Sequence, residues 1–145
     1  MKNMKDIGKS VVYWSKVLHL QHWTVHILKE PAGEDALADM RSAHFDHIAW
    51  IRIASNFFDG FNVEEQEKAI LHELLHIHTR HVLDIAMDQS EQLSCDTQFA
   101  LRTSILREME YSTAALTDVI YEMDQYRKQE VKQAKKLGKN VKAPT

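Results

Sequence analysis

A chain of 145 residues, 44% of them apolar and carrying a net charge of −3, is the size of one domain with its own core. Its single cysteine, Cys95, excludes an intramolecular disulfide and a cysteine-rich zinc ribbon. Any metal must therefore be held by histidine and carboxylate, and a reducing, cytoplasmic compartment is the expectation.

The opening segment carries Ile7, Val11, Trp14, Val17 and Leu18 at helical spacing, which predicts an amphipathic helix. Its apolar residues are broken by Ser and Lys, so it reads as neither a signal peptide nor a membrane span. The tripeptide Gly8-Lys9-Ser10 is not a phosphate loop, because that pattern needs a glycine at position 3, where Asn3 stands. Next, HWTVHILK alternates as a strand does, and Pro31 and Gly33 end it. Residues 36–54 predict two more short strands, the second rich in strand formers (Ile48, Trp50, Ile51, Ile53).

Turn residues Asn56, Asp59 and Gly60 follow, and Asn62 with Glu65 makes an Asn version of the capping box, so a helix should begin at Val63. After a polar interruption at Met87–Ser90, a long helical pattern runs through Leu101, Ile105, Met109, Leu116, Ile120 and Met123 toward Lys136. The expected class is α+β: an N-terminal helix, about three strands, a central helix and a long C-terminal helix. The domain is expected at 1–126. Residues 127–145 hold seven Lys/Arg against Glu130 alone and should form a basic, frayed or disordered tail. Only through that tail would nucleic acid be met, and it has no aromatic residue to stack on bases.

The chemistry lies in AILHELLHIHTRH, residues 69–81. Residues four apart on a helix project side by side, so His72 and His76 can grip one zinc ion through their ring nitrogens. Glu73 sits beside that face, placed to act as general base toward water activated by the metal. Ile70, Leu71, Leu74, Leu75 and Ile77 fill the remaining arc, so the helix should be buried and its polar cluster must find partners. His78 and His81 lie about half a turn away from the two ligands and cannot join them on a continuous helix. A purely structural metal would need one of these two as a ligand.

A third ligand must come from elsewhere, and the downstream helix offers Glu108 and Glu110. Glu108 is preferred, because it shares a face with the smaller residues Ser112, Ala115 and Val119, which would let that helix approach closely. Glu110, in line with Thr113, Ala114 and Thr117, is the alternative. Either would complete a His₂Glu set with one open position, for one Zn²⁺ per chain. Tyr111, Tyr126 and His47 are candidates for stabilising an oxyanion, although core packing is the commoner fate of a tyrosine.

The order of elements, with the HExxH motif at His72, Glu73 and His76 and an acidic helix after it, resembles the small zincin metallopeptidases of the gluzincin type. Compact forms of these occur among phage and prophage proteins and resemble peptidases that cleave repressors. The metzincin pattern is excluded, since it would place Gly and His where Thr79 and Val82 stand. The resemblance implies zinc-dependent endopeptidase activity with Glu73 as base. It also implies an extended peptide substrate pairing with an edge strand near Ile48–Ile53. The departure is Arg107, which precedes Glu108 where larger gluzincins have Asn. The alternative is a catalytically weak zincin-fold regulatory or binding module that engages a partner through its acidic body or basic tail.

Overall fold

The structure, a computed structural model, describes residues 1, 3–33 and 36–136, with His81 described in its backbone alone. Helix α1 spans Met4–Val17 and is capped by Asn3, whose side chain accepts from the amides of Lys5 and Asp6. It ends in a Schellman turn: the amide of Leu20 donates to Ser15 O, that of His19 to Lys16 O, and His19 takes φ 57°. A non-glycine residue pays a small steric cost there, and the buried side chain of Leu20 holds the turn against the core.

Strands β1 (Thr24–Pro31), β2 (Ala38–Ala43) and β3 (Ile48–Ile53) form one mixed sheet in the order β1-β3-β2. β1 runs parallel to β3, and β2 runs antiparallel to it through the turn at residues 44–47. The register puts Ala49, Ile51 and Ile53 on one face with Val25, Ile27, Ala38 and Met40. That face joins Ile7, Val11 and Trp14 of α1 in the core. β3 is thus the central strand. The expectation of a free edge near Ile48–Ile53 is corrected: both its sides are paired, and the edges belong to β1 and β2.

The loop to the next helix buries Phe57 and turns tightly at Gly60, whose amide donates to Asn56 O. A Cβ at Gly60 would lie 3.1 Å from that same oxygen, which explains the glycine. Helix α2 (Val63–Ser90) starts with the expected capping box: Glu65 N donates to Asn62 Oδ1 at 3.0 Å and Asn62 N to Glu65 Oε2 at 2.8 Å. Buried Gln66 donates to the carbonyls of Phe57 and Phe61, pinning the loop to the helix. Ile70, Leu71, Leu74, Leu75 and Ile77 are all buried, as their arc predicts.

The polar residues Met87–Ser90 remain helical, and the break falls at 91–94. Helix α3 (Cys95–Lys136) then returns antiparallel to α2, since Lys68 pairs with Asp118 while His72 and His76 meet Glu110. The expected boundary at 126/127 falls inside α3, and residues 137–145 lie outside the described residues. Among the described residues, three helices and three strands make an α+β fold, and no helix is long and apolar enough to cross a membrane.

Candidate metal centre

α2 presents His72, His76, Arg80 and Leu83 to a cleft of about 710 Å³ whose other walls are β2 and α3. The interhelix contact is made by the α3 face that carries buried Thr113 and Thr117. A threonine leaves room for a neighbouring helix, and Thr117 satisfies its hydroxyl on Thr113 O at 2.8 Å. Glu110 lies one turn before Thr113 on the same face, so the packing that buries the threonines carries its carboxylate to the histidines.

The preference between the two glutamates is thereby reversed. Glu110, not Glu108, meets His72 and His76. Glu108 lies 200° away around α3 at helical spacing and pairs with Arg107 on the surface. Ser112, Ala115 and Val119, the smaller residues expected to face α2, are exposed.

His72 Nε2 and His76 Nε2 are 3.0 Å apart, and they lie 3.2 and 3.3 Å from the two oxygens of Glu110. Tetrahedral zinc bound at about 2.0–2.1 Å spaces its donor atoms about 3.3 Å apart, so each of these spacings suits donors to one ion, with a ligand atom of all three residues within 4.8 Å of one another. Two imidazole lone pairs directed at each other over 3.0 Å repel unless a proton or a cation lies between them. Burial, with the charges of His72 and Arg80, lowers the pKa of His76, although Glu110 opposes the shift. That favours the neutral ring a metal requires.

Glu73 lines the same cleft but points deeper, with 7% of its surface exposed. Burial, then the charge of Glu110, then that of Asp39 push its carboxyl up to about 8. A second hollow of about 420 Å³ also reaches His72 and Glu73, from the side of Leu37, Lys68, Ala114 and Thr117. Open space therefore flanks Glu73 both ways.

The other histidines of the motif are elsewhere. His78 Nε2 is 3.0 Å from Leu18 O and ties α2 to the end of α1. That makes it a structural contact, and the side chain of His81 lies outside the described residues. None of the three oxyanion candidates lines the cleft. Tyr111 and Tyr126 are exposed rather than packed in the core, and His47 lies beside Trp23 and His44 around a separate cavity.

What the sequence reading missed is the pair of cations in the cleft, Arg41 on β2 and Arg80 on α2. Arg80, four residues after His76, was legible from spacing, and its Nε bonds Asp84 at 3.1 Å. Arg41 makes no hydrogen bond or ion pair among the described residues. It needed the sheet order to be found. Nearby Asp39 is held by Arg52 through two hydrogen bonds of 2.7 Å. Burial alone would raise its carboxyl, but Arg52, the Gly33 amide and Arg41 together bring it below the usual range.

No family model, no curated protein and no solved structure matches this chain.

Proposed function

We propose that the protein is a zinc-dependent endopeptidase with a zincin-like fold, acting on a protein or peptide in the cytoplasm. The observation that carries the reading is the convergence of His72, His76 and Glu110 on one point beside buried Glu73. In this reading His72 Nε2, His76 Nε2 and the Glu110 carboxylate hold the ion. Zinc supplies Lewis acidity toward a carbonyl and makes water acidic near neutral pH.

Glu73 would take a proton from the attacking water, whose oxygen bonds the carbonyl carbon, and return it to the amine that leaves as the C–N bond breaks. Its raised pKa suits that shuttle, since a group titrating near the working pH both accepts and donates readily. A cation beside it favours the ionised form that begins the cycle.

The substrate main chain has a natural place along β2, which pairs with β3 on one side only. Asp39, Met40, Arg41 and Ser42 of that edge line the cleft, so an extended peptide could add as a further strand above the metal point. The hollows flanking Glu73 leave room for chain on both sides of the scissile bond, which favours internal cleavage.

The test is zinc stoichiometry together with cleavage of a mixed peptide pool. Wild type should bind one zinc and cut peptides, and Glu73→Gln should keep zinc while losing about 10²–10⁴-fold in rate. Equal rates in the two proteins would overturn the mechanism.

A further inference from the structure

The first 126 residues hold twenty acidic side chains against eleven basic ones, so a cationic spot on this body is a local feature. Two of the eleven, Arg41 on β2 and Arg80 on α2, line the metal cleft from different elements.

The carboxylates around them are already engaged. Asp39, two residues from Arg41 on the same face of β2, is held by Arg52 through two bonds of 2.7 Å, and Glu110 faces the two histidines. Among the described residues Arg41 makes no hydrogen bond or ion pair, and Arg80 bonds Asp84 through Nε alone, which leaves its terminal nitrogens to a ligand.

Arg80 follows His76 by four residues, one helical turn or about 6 Å along the axis. Its charge joins burial in lowering the His76 pKa, so it stands beside the metal point. In the hollow on the other side of Glu73, among Leu37, Ala69 and Ala114, the cation is Lys68, and it is answered: its Nζ is 3.1 Å from Glu64 and 2.9 Å from Asp118. Of the cations lining the two hollows, those with donors to spare therefore lie on the His76 side alone.

One exposed arginine is an ordinary solvated side chain. Two that border one cleft present planar forks of donors that match a carboxylate. A peptide added along β2 would also set the side chain opposite Arg41 about 5 Å from it, on the same face.

We infer that the cleft selects peptides carrying an acidic side chain, Asp or Glu, on the His76 side of the scissile bond, where Arg41 and Arg80 bind it. This rests on the reading of the cleft as a peptidase site and adds the substrate class that reading left open. At physiological ionic strength the field of the acidic body is screened beyond about 8 Å, so pairing with the nearby guanidinium groups decides the preference.

The test is binding by the full, zinc-loaded chain carrying Glu73→Gln, in which the proton shuttle is removed. The probe is a pool of ten-residue peptides, acetylated and amidated at their ends. Recovered peptides should be enriched about tenfold in Asp and Glu over Asn and Gln. Added to that background, Arg41→Gln/Arg80→Gln should abolish the enrichment, and Arg41→Glu/Arg80→Glu should turn it to Lys and Arg, with circular dichroism unchanged in both. A merely structural role for the arginines would not invert the preference. No enrichment, or one that survives loss of both arginines, overturns the inference. Enrichment confined to a pool with free C-termini overturns it as well, and would assign the arginines to a terminal carboxylate.

Wild type incubated with the same pool separates this inference from the activity itself. Cuts should fall at a fixed distance from the acidic residue and on one side of it. Acid-selective binding with no cleavage by wild type would contradict the peptidase reading and leave the cleft as a site for acidic peptides. Cleavage scattered without regard to acidic residues would contradict the inference alone.

Discussion

Two carboxylates on one face of α3, Glu110 and Asp124, lie four helical turns apart and both reach back onto the body, yet their surroundings differ in kind. Asp124, with 4% of its side chain exposed, is answered within the chain. Lys128 Nζ sits 2.7 Å from Oδ2, and the Tyr13 hydroxyl donates to Oδ1. Lys128 also lies 4.5 Å above the Tyr13 ring. Glu110 meets two histidines, and its charge helps raise the buried Glu73 carboxyl; among the described residues no lysine or arginine is paired to it. Charge compensated from within the chain makes a structural lock, whereas a carboxylate gathered with two imidazoles around one point is the arrangement on which the proposed metal site rests.

The comparison can be broken at either end. The largest effect is expected from His76→Ala, which removes one corner of the triangle. Zinc affinity should fall by more than the ~10–100-fold typical of losing an outer partner of a ligand, and hydrolysis should disappear with it. Circular dichroism of the variant should stay that of wild type. Retention of stoichiometric zinc would move the ligand set away from the HExxH face.

A smaller effect, on stability rather than metal, is expected at the other end. Asp124→Ala should cost about 1–3 kcal/mol in denaturant unfolding, because it strips Tyr13 and half-buried Lys128 of their common partner. Zinc content should be unchanged. A loss of zinc in this variant would mean that the two ends of α3 are coupled.

The smallest effect concerns pH. Burial, and then Asp124, raise the Tyr13 hydroxyl above its ordinary value of 10.0. Burial lowers and Asp124 more than restores Lys128, which ends above its ordinary 10.5. A group whose folded pKa is raised gives stability that is fully present below its unfolded pKa and is lost as pH rises through the folded one. Wild type should therefore lose stability above about pH 10 more steeply than Tyr13→Phe, as followed by thermal unfolding across alkaline buffers. Parallel curves would remove Tyr13 from the lock.

Local signals were legible in the sequence. The Asn62–Glu65 box fixed where α2 begins, and the arc from Ile70 to Ile77 identified its buried sides. His72, Glu73 and His76 came from spacing along one helix, where the backbone alone sets direction. Glu110 and β2 depended on packing between elements. Size suggested that Ser112 and Ala115 would face α2, but Thr113 and Thr117 do so, because Ile120 and Tyr121 on their side join the core. That choice rotates α3 and exchanges one glutamate for the other. In the same way, Ile48–Ile53 has the composition of any strand, and only the order β1-β3-β2 makes it central and leaves the edge to Asp39–Ser42. The end of α2 was misplaced for a simpler reason: Met87–Ser90 is polar but helical, with Ser90 Oγ bonded to Met87 O at 2.7 Å.

The claim on which the functional reading rests is that His72, His76 and Glu110 share one ion. Competition titration of zinc into wild type, Glu110→Ala and Glu108→Ala against a chromophoric chelator tests it directly. The expected result is one site in wild type, unchanged affinity in Glu108→Ala, and affinity weakened by at least about tenfold in Glu110→Ala. Equal affinities in all three proteins, or a loss in Glu108→Ala alone, would contradict it.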